Sequence, residues 1–146
     1  MLSFLKDIKA TRVENAAAAG TSDLESDIID MQGFEGVAFV VLFGTITANA
    51  VTSVKVQQDT DSAGGTMADL EGTGYTVADS DDNKAVIVEV YRPLERYIRC
   101  VVDRGTQNAV VDGIVAFQYG AAKLPVTQDA TTVEGELTVS PAQGTA

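Results

Sequence analysis

From about Ser26 onward the sequence alternates runs of Val, Ile, Phe and Thr with clusters of Gly, Asp and Asn, at intervals of about ten residues. That rhythm predicts short strands joined by turns. Strands are expected near Ser26–Met31, Gly36–Phe43, Val51–Gln57, Tyr75–Val77, Ala85–Arg92, Arg96–Asp103 and Asn108–Tyr119. Turn-linked strands of this length favour antiparallel pairing, so the expected fold is all-β, an antiparallel β-sandwich or a jelly-roll-like barrel.

The last three strands are close enough in sequence to form two consecutive hairpins with a testable register. A loop at 93–95 sets Val90, Val88 and Val86 opposite Ile98, Cys100 and Val102. A loop at 104–107 sets Val101 opposite Val110 and Arg99 opposite Asp112. One side of the sheet then carries Val86, Val88, Val90, Ile98, Cys100, Val102, Val111, Val115 and Phe117, the expected core. The other side aligns Glu89, Arg99 and Asp112 in a cross-strand charge row that would lock register. An arginine beside carboxylates lowers their pKa, which makes this row a poor proton donor and a structural feature rather than a catalytic one.

That second side also carries Ile87, Tyr91, Tyr97, Val101, Val110 and Ile114. A solvated sheet face alternates apolar with polar residues, so this one calls for a cover: a second sheet, the chain's own arms or another subunit. Tyr91, Tyr97, Val101, Val110 and Ile114 are the candidate subunit interface. Arg92, Arg96 and Arg104, near strand ends, are the candidates for salt-sensitive docking.

Around the strands the chain is organised as one domain of 146 residues. Residues 1–22 read as an N-terminal arm and hinge: Leu2, Leu5 and Ile8 give a short amphipathic stretch, and Asn15–Ser22 is mostly Ala and Gly. Residues 23–123 form the sandwich body. Within it Asp59–Gly74 reads as a long loop with room for one helical turn, from Gly64, Gly65, Gly72 and Gly74 around Met67–Leu70. Residues 124–146 turn polar between Pro125 and Pro141 and read as a C-terminal arm with a possible strand at Gly135–Val139.

Composition bounds the partners. The formal charge of −11 would repel a phosphate backbone, which argues against nucleic acid. No apolar run approaches the length of a membrane helix, and Lys6, Asp7 and Lys9 interrupt the place of a signal peptide's apolar stretch, so neither membrane nor secretion is expected. The acidic stretch from Glu14 to Asp82 and the basic strip Arg92, Arg96, Arg99 and Arg104 would suit head-to-tail contacts between copies or a charged lattice, as well as plain solubility.

The chemistry the sequence can carry is narrow. It has no histidine, which removes the commonest general base, the Ser-His triads and most zinc sites. Cys100, the single cysteine, lies in an apolar run and reads as a small buried hydrophobe. No phosphate loop, dinucleotide fingerprint or nucleophile elbow is present. Asp79, Asp81 and Asn83 have the spacing of a calcium loop's first ligands, but Lys84 replaces the turn glycine and Val90 the bidentate glutamate. The stretch is read as a polar turn, with calcium as the alternative. The expectation is a protein that is not an enzyme and takes no cofactor and no small-molecule substrate.

Certain strings are distinctive as text: Val13-Glu14-Asn15 before the Ala-Gly stretch, Asp30-Met31-Gln32-Gly33-Phe34-Glu35-Gly36, Val37–Phe43, Tyr91-Arg92-Pro93 and Val102-Asp103-Arg104-Gly105-Thr106-Gln107-Asn108-Ala109. In these, from about Val13 to the C-terminus, the chain resembles small structural proteins encoded in the head-gene clusters of tailed phages, most of all capsid decoration or cement proteins. The resemblance implies a β-sandwich or jelly-roll-like subunit, commonly a homotrimer, bound to the major capsid protein at three-fold lattice positions. It would be made in the host cytoplasm and sit on the outer surface of the virion. A head-completion or tail-tube connector is the alternative within this class. A carbohydrate-binding β-sandwich module is the alternative outside it.

Overall fold

The computed structural model describes residues 3–145; Leu2, and the last residue of the expected C-terminal arm, lie outside the described residues. A single helical turn, α1 (Phe4–Asp7), precedes β1 (Lys9–Glu14) and β2 (Ala17–Gly20). Then come β3 (Leu24–Glu25), β4 (Ile29–Asp30), β5 (Gly36–Ile46), β6 (Val51–Asp59), β7 (Ala68–Asp69) and β8 (Tyr75–Val77). A 3-10 turn (Asp79–Asp81) leads to β9 (Ala85–Tyr91), β10 (Tyr97–Gly105) and β11 (Ala109–Tyr119).

All pairings are antiparallel and fall into two sheets. The front sheet runs β1 and β2 on one edge, then β11, β5 and β9; the back sheet runs β3 and β4 on one edge, then β10, β6, and β7 with β8. Counting β1/β2, β3/β4 and β7/β8 as interrupted single strands, first pairs with eighth, second with seventh, third with sixth and fourth with fifth. That nested order is a jelly roll, built as an open two-sheet sandwich rather than a closed barrel.

The two faces that meet are continuous rows of apolar residues. Val37, Phe39, Val41 and Phe43 of β5 and Val86, Val88 and Val90 of β9 face Val54 and Val56 of β6 and Ile98, Cys100 and Val102 of β10. Cys100 is fully buried among them, and burial pushes its thiol up to about 12, so it serves as a small hydrophobe.

The expected consecutive hairpins do not form. β9 pairs with β5, with Val88 opposite Phe39, and β10 pairs with β6, with Cys100 opposite Val56. The chain crosses between sheets after β9 and again after β10. Each crossing holds a non-glycine residue at positive φ, Arg92 (52°) and Thr106 (66°), and Pro93 cannot extend a ladder. The inward sets of β9 and β10 are as expected, because two sheets facing each other satisfy the alternation as well as one sheet does, whereas Val115 and Phe117 of β11 are not in the core.

The arms also differ. Residues 9–20 are not a free arm: β1 and β2 cover one edge of β11, and Val13 belongs to the core. The stretch 124–145 has no regular strand, 135–139 included. It is tied back by the Gln128 amide, which donates to the Leu5 and Ile8 carbonyls and accepts from the Ala10 N–H. The long loop has no helical turn; buried Asp59 staples it, accepting from the N–H groups of Asp61 and Thr66 and from the Thr66 hydroxyl.

Candidate interaction surface

The outer faces of the two sheets are chemically opposite. On the back sheet Arg99 donates through Nε to Gln57 (2.8 Å) and through both Nη atoms to Glu25 (2.7 and 2.9 Å). Lys55 lies between Asp69 (3.3 Å) and Asp103 (3.6 Å). Arg96 forks onto Asp30 (2.8 and 2.7 Å) while its guanidinium covers the Tyr97 ring. The Arg96 hydrogen bond holds Asp30 below its usual range, and the Gln57 amide does the same for Asp69. These charges are satisfied within the chain.

The front sheet's outer face is apolar. Its cross-strand rows put Ile87 beside Val40 and Val115, Ala85 beside Leu42, and Ala38 beside Phe117. The Phe4 ring of α1 meets Phe117 edge-on, 5.4 Å between centroids. Ile87 remains 64% exposed, Tyr91 57% and Leu42 41%. The acid among them, Glu89, accepts a hydrogen bond from the Tyr119 hydroxyl. Burial, and then that bond, push Tyr119 up to about 12, so the phenol keeps its proton. Tyr119 reaches Glu89 by lying across β5 at Gly36, where even a Cβ would stand 2.3 Å from ring Cζ.

The candidate residues scatter over this architecture. Tyr91 and half-buried Val110 lie on the front face; Tyr97 and Val101 belong to the back face. Ile114 is 0% exposed and in the core. The reason is a bulge in β11: register shifts between Val111 and Gly113, whose φ is +147°, and the inward parity switches. Val111 stays inside, Ile114 and Ala116 turn in, and Val115 and Phe117 turn out.

The row Glu89, Arg99 and Asp112 is not formed. Glu89 and Arg99 are on different sheets, and Asp112 is an exposed residue at the bulge. Among the docking arginines, Arg92 is exposed over the Tyr91 ring and donates through one Nη to exposed Glu35 at 3.4 Å. Arg96 is engaged with Asp30. Arg104 is 6% exposed and works as an internal clamp: it points between the sheets and donates to the carbonyls of Ser22 (2.7 Å), Ala18 (3.0 Å) and Ala109 (2.8 Å).

Sequence reasoning missed Val40, Leu42, Val115 and Phe117. A signal was present, because Val37–Phe43 is apolar at every position, the pattern of a strand with both faces covered.

Elsewhere the acidic turn is used structurally: Asp79 accepts from the Asn49 N–H, Asp82 from the Ile46 N–H and Asp81 from Ala78 N–H and Lys84 Nζ. An open cleft of about 670 Å³ lies beside β1 and β3, with Arg12, Asp27, Asp129 and the Arg99–Glu25 pair on its walls. Asp129 there turns back onto Thr131. No protein-family model matches this chain, and no curated protein matches it.

Proposed function

We propose that the chain is a virion structural protein of a tailed phage, a capsid decoration or cement subunit that binds the major capsid protein lattice, and that it acts by binding rather than by catalysis. The observation that carries the reading is the front sheet's outer face, where Leu42, Ile87 and Tyr91 stay exposed on a packed apolar sheet while the charges of the opposite face are internally paired. The phage and its capsid come from the sequence resemblance. Docking that face would bury Leu42 and Ile87 for about 1–2 kcal/mol each. Arg92 adds a salt-sensitive contact at its edge. Many such weak clasps on one shell act together through effective concentration, so bridging capsomers raises the number of contacts that outward pressure must break.

The test is rebinding to virion heads that lack the protein, with Leu42→Asp and Ile87→Asp compared with wild type. Both substitutions lie on the outer face, so the fold should survive while head binding falls. Unchanged binding by both variants would refute the docking face. A copy number matching one small ring rather than the capsomer lattice would favour the connector alternative.

A further inference from the structure

A jelly roll has four sheet edges, and three of them here are interrupted. The β1/β2 edge has a register shift between Arg12 and Glu14 and a break before Ala17. The β3/β4 edge is cut by residues 26–28, and the β7/β8 edge consists of a two-residue and a three-residue piece. Short strands, bulges and breaks are the usual protection of a sheet against pairing with other chains.

The fourth edge has none of this. β9 is seven residues long and pairs with β5 in one unbroken register, from Gly36 opposite Tyr91 to Leu42 opposite Ala85. It contains no proline, lysine or bulge, and no charged side chain on its inward face. The pairing also fixes which of its backbone groups are free. Phe43 N–H donates to the Lys84 carbonyl (3.0 Å) and Arg92 N–H to the Glu35 carbonyl (2.7 Å), one at each end of the ladder. Antiparallel alternation then turns the N–H and C=O groups of Ala85, Ile87, Glu89 and Tyr91 away from β5. Among the described residues, no hydrogen bond reaches those groups from the chain itself.

We propose that β9 pairs with β9 of a second copy across a two-fold axis, joining two front sheets into one. The strand is self-complementary. In the antiparallel register that uses all four free residues, Ile87 lies opposite Glu89 of the second copy and Ala85 opposite Tyr91. On the inward side Val86, Val88 and Val90 meet Val90, Val88 and Val86, so the valine row of the core runs on without interruption. No like charges stand directly opposite. The register centred on Glu89 would oppose two carboxylates and is disfavoured. The pairing sets two apolar outer faces side by side, doubling the platform without covering it. Each copy carries a charge of −11, so the contact forms against long-range repulsion and tightens as salt is added.

The test uses the full chain in sedimentation equilibrium and native mass spectrometry, with wild type compared with Ile87→Pro. The N–H of Ile87 points to the free side, so proline there removes a pairing donor and costs no bond to β5. Wild type should reach twice the 15.3 kDa monomer mass, more readily at higher salt, and Ile87→Pro should weaken association by roughly tenfold or more with its circular dichroism preserved. Hydrogen exchange on wild type needs no variant: the Ile87 and Glu89 amides should become protected as concentration rises. A chain that stays monomeric with those amides exchanging fast at every concentration overturns the proposal, even if they become protected on heads, since the occupant is then another protein's strand. A trimer whose mass Ile87→Pro leaves unchanged overturns it as well.

Discussion

Gly36→Ala gives a sharp trial of how the front face is built, because its effect should reverse sign with one other side chain. The φ of Gly36 is not in the left-handed region, so an alanine is allowed by the backbone, and in a strand it would ordinarily gain about 0.5–1 kcal/mol over glycine. The obstacle is steric: the new Cβ would stand 2.3 Å from Cζ and Oη of Tyr119 and 2.8 Å from Cε2. The ring must leave, and its hydroxyl then loses Glu89. Overpacking of this kind costs about 1–3 kcal/mol, which lowers the melting temperature by roughly 2–10 °C in a chain of this size. In a Tyr119→Ala background the obstruction is gone and Gly36→Ala should stabilise by about 0.5–1 kcal/mol, a coupling of about 1.5–4 kcal/mol. Urea unfolding of the four proteins measures the cycle. Equal costs in both backgrounds would refute the account. The half-buried phenol has a pH signature: burial first, and then the Glu89 bond, raise the folded pKa of Tyr119 from 10.0 to about 12, so its contribution is full below 10 and disappears as pH rises through 12. Tyr119→Phe should flatten that alkaline loss.

Arg104→Met should destabilise by about 2–4 kcal/mol in denaturant unfolding, because three carbonyls lose their donor, whereas removing a surface docking arginine would leave stability unchanged. Asp59→Ala should lower the melting temperature at neutral pH. Backbone hydrogen bonds from Asp61 and Thr66 depress the folded pKa of Asp59, so its contribution is present above the ordinary value of 3.8 and is lost as pH falls through the lower folded value; the variant's melting curve should be flatter in that window. Cys100 should resist thiol reagents in the folded protein and react on unfolding, as followed by mass spectrometry, since its thiol is buried and pushed up to about 12. Deleting residues 1–20 should abolish cooperative unfolding by circular dichroism, because it strips β1 and β2 from β11 and takes Val13 out of the core.

The strands themselves were legible. Tyr75–Val77 matches β8, and Ala85–Arg92 and Arg96–Asp103 match β9 and β10 to within a residue or two at each end. The inward set Val86, Val88, Val90, Ile98, Cys100 and Val102 follows from period-two alternation alone. Partners were not legible, since alternation says which side of a strand is buried and nothing about which strand lies beside it. A short connector between β9 and β10 suits a hairpin and a sheet crossing equally. Gly113 carried a readable warning, as glycine inside a strand pattern marks a bulge, and taking it into account would have put Ile114 inside and Phe117 outside. The Ala-Gly run read as a hinge is half strand, and its carbonyl at Ala18 is held by Arg104, a contact eighty-six residues away that no local pattern encodes.

The two outer faces also differ in what a partner would cost them. Covering the back sheet means desolvating the Arg99–Glu25 and Lys55–Asp69 pairs, whose attraction is already realised, and desolvation of ion pairs can exceed anything regained. Covering the front sheet removes mainly aliphatic and aromatic surface from water. Glu89, on the edge strand β9, interrupts that surface, and an unpaired carboxylate there would cancel much of the gain. Tyr119 meets that cost in advance by bonding the carboxylate before any partner arrives, and it can do so because Gly36 leaves the ring room to cross β5. A glycine on one strand, a phenol on the next and an acid on the third thus act as one device that keeps an apolar face fit to bind.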